Sequence, residues 1–357
     1  MMAGMDTDLF ADSYAGARQR FLSAASRASA SLPAIVQDTF PCPATGPDGD
    51  SLFTDIAWLG PHTADKVLVL QSATHGVEGY AGSAIQCQWL QNLTTLPADT
   101  AVLLVHALNP WGMAWHRRCD QDGIDLNRNF IDFSQPLPSN PGYKQLRDVL
   151  FDSDADTRRA HLEDYLASHG REALEVALSG GQYLDPHGPF FGGSQPAHAN
   201  SLVHDWIDRF ALSRKQLAVI DLHTGLGPFG EGEIICDHAP GSAGVITARR
   251  WYGDEVALPL EGTSSSVPKL GLIDFAWHAI MANNSCFVTL EFGTFATDAL
   301  FEVLLEDHRQ WASGQRDAAC VAAMRHHFCP DDRHWRDQVL RRGADVIARA
   351  LDGLAES

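Results

Sequence analysis

Four short apolar runs stand out along the chain, each rich in valine, leucine or isoleucine and each bounded by polar or turn residues. They are 66–71, 101–106, 217–222 and 286–291. Short, branched runs of this kind are typical of strands that are buried on both faces of a sheet. The pattern therefore predicts four buried strands.

Helical stretches lie between and around these runs. They are predicted near 8–32, 79–92, 155–180, 196–213, 243–252, 271–283, 297–315 and 332–354. A segment rich in proline and glycine, 41–50, indicates a turn region. Alternation of strands and helices predicts an α/β fold with a mostly parallel, mixed central sheet flanked by helices on both faces. Because no linker or repeat is evident, we expect one domain over residues 1–357.

The composition and charge of the chain argue against two classes of binding partner. The chain has 357 residues, 45% of them hydrophobic, and a formal net charge of −19. Nucleic acids and anionic membranes would repel such a chain, so neither is a predicted partner. Residues 1–8 lack the basic and apolar regions of a signal peptide, and no apolar run is long enough to span a membrane. The seven cysteines form no CxxC pair. We therefore expect a cytoplasmic protein with reduced cysteines.

Candidate metal ligands follow two of the predicted strands. His75 and Glu78 lie just after the first strand, and His223 ends the third. The carboxyl ends of parallel strands are where open α/β sheets bind ligands, and histidine and glutamate both bind zinc. Asp221 is placed to orient the His223 imidazole from behind. Each pattern alone also fits a simpler role, namely a helix cap for His75, a solvated carboxylate for Glu78 and a core histidine for His223.

Charged residues follow the other two strands. Arg117, Arg118, Asn127 and Arg128 come after the second strand, and arginine and asparagine can bind a carboxylate. Glu291 ends the fourth strand between leucine and phenylalanine, where burial would raise its pKa and suit it to acid–base chemistry. Surface salt bridges for the arginines, and an arginine partner for the glutamate, remain equally compatible with the pattern.

Together these segments resemble the zinc metallocarboxypeptidase family and its relatives, succinylglutamate desuccinylase and aspartoacylase. The resemblance covers roughly residues 60–300, and Asp-Leu-Asn-Arg-Asn-Phe is its most specific part. The matching segments, in the order of the family, are His75-x-x-Glu78, Asn109-Pro110-x-Gly112, Arg118, Asp125-Leu126-Asn127-Arg128-Asn129-Phe130, His223 and Glu291.

The resemblance implies a carboxypeptidase-like fold and one zinc ion per chain. It implies that the zinc ligands are His75, Glu78 and His223. It also implies that Glu291 is the general base, which takes a proton from the zinc-bound water and passes it to the leaving amine.

The remaining roles implied by the resemblance concern the substrate. Arg118 would stabilise the carbonyl oxygen as it becomes an oxyanion, with Arg117 as the alternative if the alignment shifts by one residue. Asn127 and Arg128 would hold the carboxylate of the substrate.

Two segments depart from the pattern of the family. Digestive carboxypeptidases usually carry a tyrosine some twenty residues before the catalytic glutamate, but 264–270 contains none; Trp277 and His278 are the nearest candidates. The Gly-, Pro- and aromatic-rich segment 181–193 is predicted to be either a plain connection or an ordered loop over the site. In the second case Tyr183 or His187 would approach the substrate.

The sequence thus predicts a zinc hydrolase that cleaves an amide bond adjacent to a carboxylate, as a metallocarboxypeptidase does. Its substrate would be a small peptide or, in the alternative, an N-acyl amino acid, as for the deacylase branch. A third possibility is a non-catalytic member of the fold that only binds ligands in its pocket. A structural zinc protein is disfavoured, because the cysteines lack the spacing of a closed site.

Overall fold

One eight-stranded mixed sheet forms the centre of the protein in a computed structural model, which describes residues 9–29, 35–152 and 154–356. The segment 1–8, where no signal peptide is predicted, lies outside these ranges, as do residues 30–32 of the first predicted helix. The strands are β1 (Ile35–Thr45), β2 (Ser51–Leu59), β3 (Lys66–Ser72), β4 (Thr100–His106), β5 (Gln216–Gly225), β6 (Gly232–Ile235), β7 (Val256–Ala257) and β8 (Cys286–Gly293). Their order across the sheet is β1-β2-β4-β3-β5-β8-β6-β7.

The four predicted strands are neighbours in the middle of this sheet. β4, β3, β5 and β8 pair in parallel, whereas β1, β2 and β6 join the sheet through antiparallel pairs. The carboxyl ends of the four parallel strands therefore lie along one edge, and the residues that follow them are brought together. The predicted mixed, mostly parallel α/β architecture is confirmed.

Helices cover both faces of the sheet. Those in the described part of the chain are α1 (Tyr14–Ser29), α2 (Gly79–Asn92), α3 (Pro110–Ala114), α4 (Pro141–Leu150), α5 (Ala155–His169), α6 (Arg171–Ser179), α7 (His198–Arg209), α8 (Ala243–Tyr252), α9 (Asp274–His278), α10 (Thr297–Ser313), α11 (Ala318–Phe328) and α12 (Arg333–Ala355). None of them combines the length and apolar character needed to cross a membrane.

Two hydrophobic cores, one on each face of the sheet, explain why the sequences of the central strands are unbroken apolar runs. In β3, Leu68 and Leu70 pack with α1, α2, α8 and α12, whereas Val67 and Val69 pack with α7 and α9. Each of these four side chains is fully buried. Burial of such a side chain contributes roughly 1.5–3 kcal/mol relative to exposure. The strands that carry the site are therefore rigidly held.

The segment 41–50 differs from the prediction. Strand β1 continues to Thr45, and only the following residues turn into β2. β1 pairs with β2 alone, and its residues alternate between exposed and half-buried. An edge strand of this kind tolerates proline, because a missing N–H need not break a ladder on both sides. Pro41 and Pro43 thus lie within a strand rather than a turn.

Two predicted helices are also shorter than expected. The stretch 155–180 is interrupted at Gly170, whose φ of 87° ends α5 and begins α6. Glycine adopts this left-handed conformation without the steric cost of a side chain. The stretch 271–283 contains only the five-residue helix α9. Helices α3, α4 and α11 and strands β1, β2, β6 and β7 were not predicted.

Buried histidines make the folded protein sensitive to acid. Burial lowers the pKa of several imidazoles to about 3 or 4, against an ordinary value near 6.5. They are His106, His116, His238, His278, His308 and His327. Below about pH 6.5 the unfolded chain binds protons that the folded chain does not bind until about pH 4. These six histidines should therefore lower the free energy of unfolding as pH decreases from 6.5 to 4.

Urea denaturation at several pH values measures this effect. His106 stacks on Phe21 with ring centroids 4.4 Å apart, and its Nε2 lies 2.9 Å from the Ser83 hydroxyl. His106→Gln should reduce the loss of stability between pH 7 and pH 5, whereas substitution of the exposed His334 by glutamine should not. A loss of stability in His106→Gln that equals that of the wild-type protein would contradict the prediction.

Candidate active site

The candidate site lies where the four parallel strands end. His75 follows β3, and the 3-10 turn Gly76–Glu78 carries Glu78 before α2 begins. His223 lies near the end of β5, and Glu291 is its direct neighbour in β8. The sheet register alone thus places the predicted base beside a predicted ligand.

The turn that carries Glu78 is locked to the segment after β4. A Cβ on Gly76 would lie 2.1 Å from the carbonyl carbon of Gly112, so only glycine fits at this position. The amide of Gly76 donates to the carbonyl of Arg118 at 3.1 Å. Asn109 binds the same carbonyl through Nδ2 at 3.2 Å and accepts from the Gly112 amide. The His75-x-x-Glu78 motif and the Asn109-Pro110-x-Gly112 motif therefore form one rigid unit that positions Glu78 and Arg118.

Three side chains converge at the centre of the site. The Nδ1 atoms of His75 and His223 are 3.1 Å apart, and Glu78 places one carboxylate oxygen 2.9 Å from the first and the other 3.1 Å from the second. All three residues are at most 3% exposed. Zinc at about 2.0–2.1 Å from tetrahedral ligands would set ligand-to-ligand separations of roughly 3.3 Å. The spacing and the donor set fit a zinc ion.

The far sides of the two imidazoles face carboxylates. Nε2 of His223 lies 2.7 Å from Asp221, which also accepts from the Thr74 hydroxyl, and Nε2 of His75 lies 3.1 Å from Asp125. A proton on Nε2 of His223 leaves its Nδ1 free as a ligand, the arrangement typical of metal-bound histidine. Burial alone would lower the pKa of His223, but Asp221 and Glu78 raise it well above its usual value.

Arg118, not Arg117, reaches the cavity. Its Nε donates to Asp125 at 2.9 Å, Nη1 donates to Glu78 at 3.1 Å, and Nη2 lies 2.7 Å from Nε2 of His75. Arg117 points away from the cavity and donates to Asp307 at 2.8 Å. Of the two arginines weighed from the sequence, the structure places only Arg118 beside the three convergent ligands.

Glu291 is a buried carboxylate with one backbone partner. Its Oε1 accepts a hydrogen bond from the amide of Leu226 at 3.0 Å, and the residue is 8% exposed. Burial, reinforced by the neighbouring Glu78 carboxylate, raises the pKa of Glu291 to about 7. A carboxylate with a pKa near neutrality can both accept and return a proton at physiological pH.

Arg128 is a fully buried cation that lines the cavity. Its guanidinium donates to backbone carbonyls, two bonds of 2.7 and 3.1 Å to Ser179 and one of 2.5 Å to Asn127. Among the described residues no carboxylate lies within ion-pair distance of it. Burial lowers the pKa of Arg128 to about 10, which leaves it charged. Asn127 lines the same cavity, and its side-chain carbonyl accepts from the amide of Ile273 at 2.9 Å.

The segment 181–193 contacts the backbone of Arg128 and contributes one side chain to the cavity. The Tyr183 hydroxyl donates to the Arg128 carbonyl at 2.5 Å, and the backbone carbonyl of His187 lies 3.0 Å from Nδ1 of His308. Neither of the two predicted side chains lines the cavity, but Phe190 does. Phe190 lies under both guanidinium groups, 5.1 Å from Arg118 and 5.5 Å from Arg128.

The cavity, with about 750 Å³ of empty space including its mouth, has further charged residues that sequence reasoning missed. They are Lys269, Asp237 and Asp274. Lys269 lies in the stretch noted for its missing tyrosine, and its ammonium group donates to Ser266 and to the Val267 carbonyl. Trp277, one of the two substitutes proposed for that tyrosine, is fully buried in the core instead.

A comparison with protein families gives a match over most of the chain. The model described as "Protein of unknown function (DUF2817)" matches residues 10–342. The chain belongs to the DUF2817 family. No curated protein gives a significant match to this DUF2817 chain.

Solved structures identify the fold. The crystal structure of thrombin activatable fibrinolysis inhibitor is 10% identical, with a TM-score of 0.51 over 97% of this chain and 74% of that one. An aspartoacylase family protein from Mesorhizobium loti is 16% identical, with a TM-score of 0.39 over 79% and 68% of the two chains. Murein-tripeptide amidase MpaA from Escherichia coli O157 is 17% identical, with a TM-score of 0.39 over 80% and 94%. The first likeness shows the fold, which is carboxypeptidase-like as predicted.

Proposed function

We propose that this protein is a zinc-dependent hydrolase that cleaves an amide bond next to a carboxylate. The observation that carries the proposal is the convergence of Nδ1 of His75, Nδ1 of His223 and the Glu78 carboxylate within 3.1 Å of one another. Two imidazoles and one carboxylate form a ligand set that leaves a fourth zinc position open, as in catalytic rather than structural sites. Bound zinc would supply a water with a pKa near 7 and a Lewis acid for the substrate carbonyl.

Glu291 would move the protons of the reaction. It lines the cavity beside His223 and has one protein hydrogen bond, so its second oxygen is available to the attacking water. A raised pKa lets the carboxylate take a proton from that water and then deliver it to the nitrogen of the leaving amine. The amide nitrogen needs this proton because an amide anion is a poor leaving group.

Arg118 would stabilise the carbonyl oxygen as negative charge develops on it. Its guanidinium faces the same space as the three ligands, and Asp125 fixes it from behind. A cationic donor that is fixed in this way before the reaction commonly lowers the barrier by about 3–4 kcal/mol. When Glu78 binds the metal, the hydrogen bond from Arg118 to Glu78 would be replaced by one from Arg118 to the carbonyl oxygen of the substrate.

Arg128 and Asn127 would hold the carboxylate of the substrate. A buried guanidinium without a carboxylate partner among the described residues is costly unless an anion neutralises it. A carboxylate can accept two parallel N–H bonds from such a group, which also fixes the direction of the scissile bond. Both a free peptide C-terminus and an N-acyl amino acid present this carboxylate beside an amide. The site therefore supports the peptidase and the deacylase alternatives alike.

Arg128→Ala should raise KM about a hundredfold, because the carboxylate loses its charge-assisted hydrogen bonds. The measurement is steady-state kinetics on one substrate and on its C-terminal carboxamide. The wild-type enzyme should strongly prefer the acid, and the variant should lose that preference. Arg159→Ala, at an exposed arginine on α5, is the matched control. An unchanged preference for the acid in Arg128→Ala would remove the assignment.

The proposed function is tested with zinc-loaded and chelator-treated protein. Benzoylglycyl amino acids represent peptides, and Nα-acetyl amino acids represent the deacylase substrates. We expect release of the free amino acid from at least one series, abolished by the chelator and restored by zinc. Zinc-loaded protein that hydrolyses neither series would contradict the proposal and favour a pocket that only binds its ligand.

A further inference from the structure

Two carboxylates in the cavity have no role in the proposed chemistry. Asp237 follows β6, Asp274 begins α9, and both line the same cavity as Arg128 and Glu291. We refer to Asp237 and Asp274 as the acidic wall. Asp274 is only 2% exposed, and its Oδ1 has no hydrogen-bond partner among the described residues. A buried carboxylate oxygen without a donor is rare, because its desolvation is uncompensated.

Among the described residues, no cation forms a hydrogen bond with the acidic wall. Within the described part of the chain Asp237 has no side-chain hydrogen bond or ion pair. The nearest imidazole to Asp274 is His278, whose Nε2 is 3.8 Å from Oδ2, too far for a hydrogen bond. Lys269 and Arg128 attract Asp237 electrostatically, but both donate their hydrogen bonds to other oxygens. Within the described residues, the two carboxylates thus lack a hydrogen-bonded partner of opposite charge.

Burial raises the pKa of both carboxyl groups, and Asp237 raises that of Asp274 further. A ligand that carries a positive charge would favour the ionised form of both carboxylates, and it would supply the missing hydrogen-bond donors.

We propose that the acidic wall binds an ammonium or guanidinium group on the side chain of the carboxylate-bearing residue of the substrate. This inference rests on the proposed function, since Arg128 is taken to hold the carboxylate of the same residue. The cavity would then match a residue with both charges, its carboxylate at Arg128 and its cation at the wall. Ile235, Phe287 and Leu272 also line the cavity and would contact the methylene groups between the two charges.

A comparison of lysine with norleucine tests the inference on the wild-type enzyme. The two side chains have similar length, and only lysine carries a charge. For benzoylglycyl-L-lysine against benzoylglycyl-L-norleucine, and for the matching Nα-acetyl pair, we expect kcat/KM to favour lysine by at least about tenfold. A glutamate derivative should be the poorest substrate, because its second carboxylate meets the wall. Equal kcat/KM for lysine and norleucine would overturn the proposal.

Variants identify the residues responsible. Asp274→Asn and Asp237→Asn should each bring the lysine-to-norleucine ratio close to one. Asn is nearly isosteric with Asp and removes an unpaired buried charge, so folding should be retained; a thermal melt checks this. Asp254→Asn, at an exposed aspartate outside the cavity, should keep the wild-type ratio. A ratio that is unchanged in both wall variants would remove the assignment.

Calorimetric binding of free L-lysine and L-norleucine to zinc-loaded protein separates this inference from the proposed function. Tighter binding of lysine that is lost in Asp274→Asn, without hydrolysis of any probe, would support the acidic wall and contradict the hydrolase. Hydrolysis of both probes with no preference for lysine in kinetics or binding would support the hydrolase and contradict the wall.

Discussion

Glu291→Gln should reduce kcat about a thousandfold while about one zinc ion per chain remains bound. Glutamine keeps the size and the hydrogen-bonding oxygen of the side chain, so the bond from the Leu226 amide can persist. It cannot accept a proton from water, and general base catalysis by a positioned side chain contributes roughly 10²–10⁴-fold. Glu291 is not one of the three convergent ligands, so metal binding should not depend on it.

The measurement combines kcat and KM with zinc content by elemental analysis on the same preparation. Glu302→Gln, at an exposed glutamate of α10, provides the matched control and should behave as wild type. A kcat within tenfold of wild type for Glu291→Gln would show that another group moves the proton. Loss of zinc together with activity would instead show that Glu291 belongs to the metal site.

The central strands could be predicted because their environment is uniform. The side chains of β3 from Val67 to Leu70 meet a hydrophobic core on one face or the other, so this part of the strand must be apolar. The hairpin of β1 and β2 could not be predicted in the same way. β1 is an edge strand with half-exposed residues and two prolines, and its stability comes from pairing with β2 rather than from its own composition.

The residues at strand ends could be grouped from sequence because parallel strands end at one edge. His75 follows β3, whereas His223 and Glu291 lie near the ends of the adjacent strands β5 and β8, and this adjacency brings the three residues together. The choice between Arg117 and Arg118 could not be made in this way. It depends on the path of the chain after α3, where His116 has a φ of 51°. A left-handed residue that is not glycine is set by its tertiary surroundings, not by a sequence pattern.

The three charged cavity residues that were not predicted show the same limit of prediction from sequence. Lys269 lies on a loop, Asp237 follows a four-residue strand, and Asp274 begins a five-residue helix. Elements this short carry no periodicity from which their direction can be predicted. Each carboxylate alone is compatible with a solvated surface. Only the packing of the loops against the sheet shows that the three groups face one cavity.

His223→Ala should abolish both zinc binding and turnover. The substitution removes one of three protein ligands, and the remaining pair of His75 and Glu78 is too few to hold zinc tightly. It also leaves the buried Asp221 carboxylate with the Thr74 hydroxyl but without its imidazole partner. We therefore expect the zinc content after dialysis to fall from about one per chain to near zero, and kcat/KM to fall at least about a thousandfold.

Elemental analysis and kinetics on parallel preparations measure both effects, and circular dichroism checks that the fold is retained. His204→Ala, at an exposed histidine of α7, is the matched control and should keep wild-type zinc content and activity. If His223→Ala holds zinc as tightly as wild type, the metal lies elsewhere, because no site built on these three ligands can lose one without a large loss of affinity. If wild type binds no zinc but still hydrolyses the probes in the presence of a chelator, Glu291 and Arg118 act on a water that no metal activates, and the convergence of the two Nδ1 atoms has another cause.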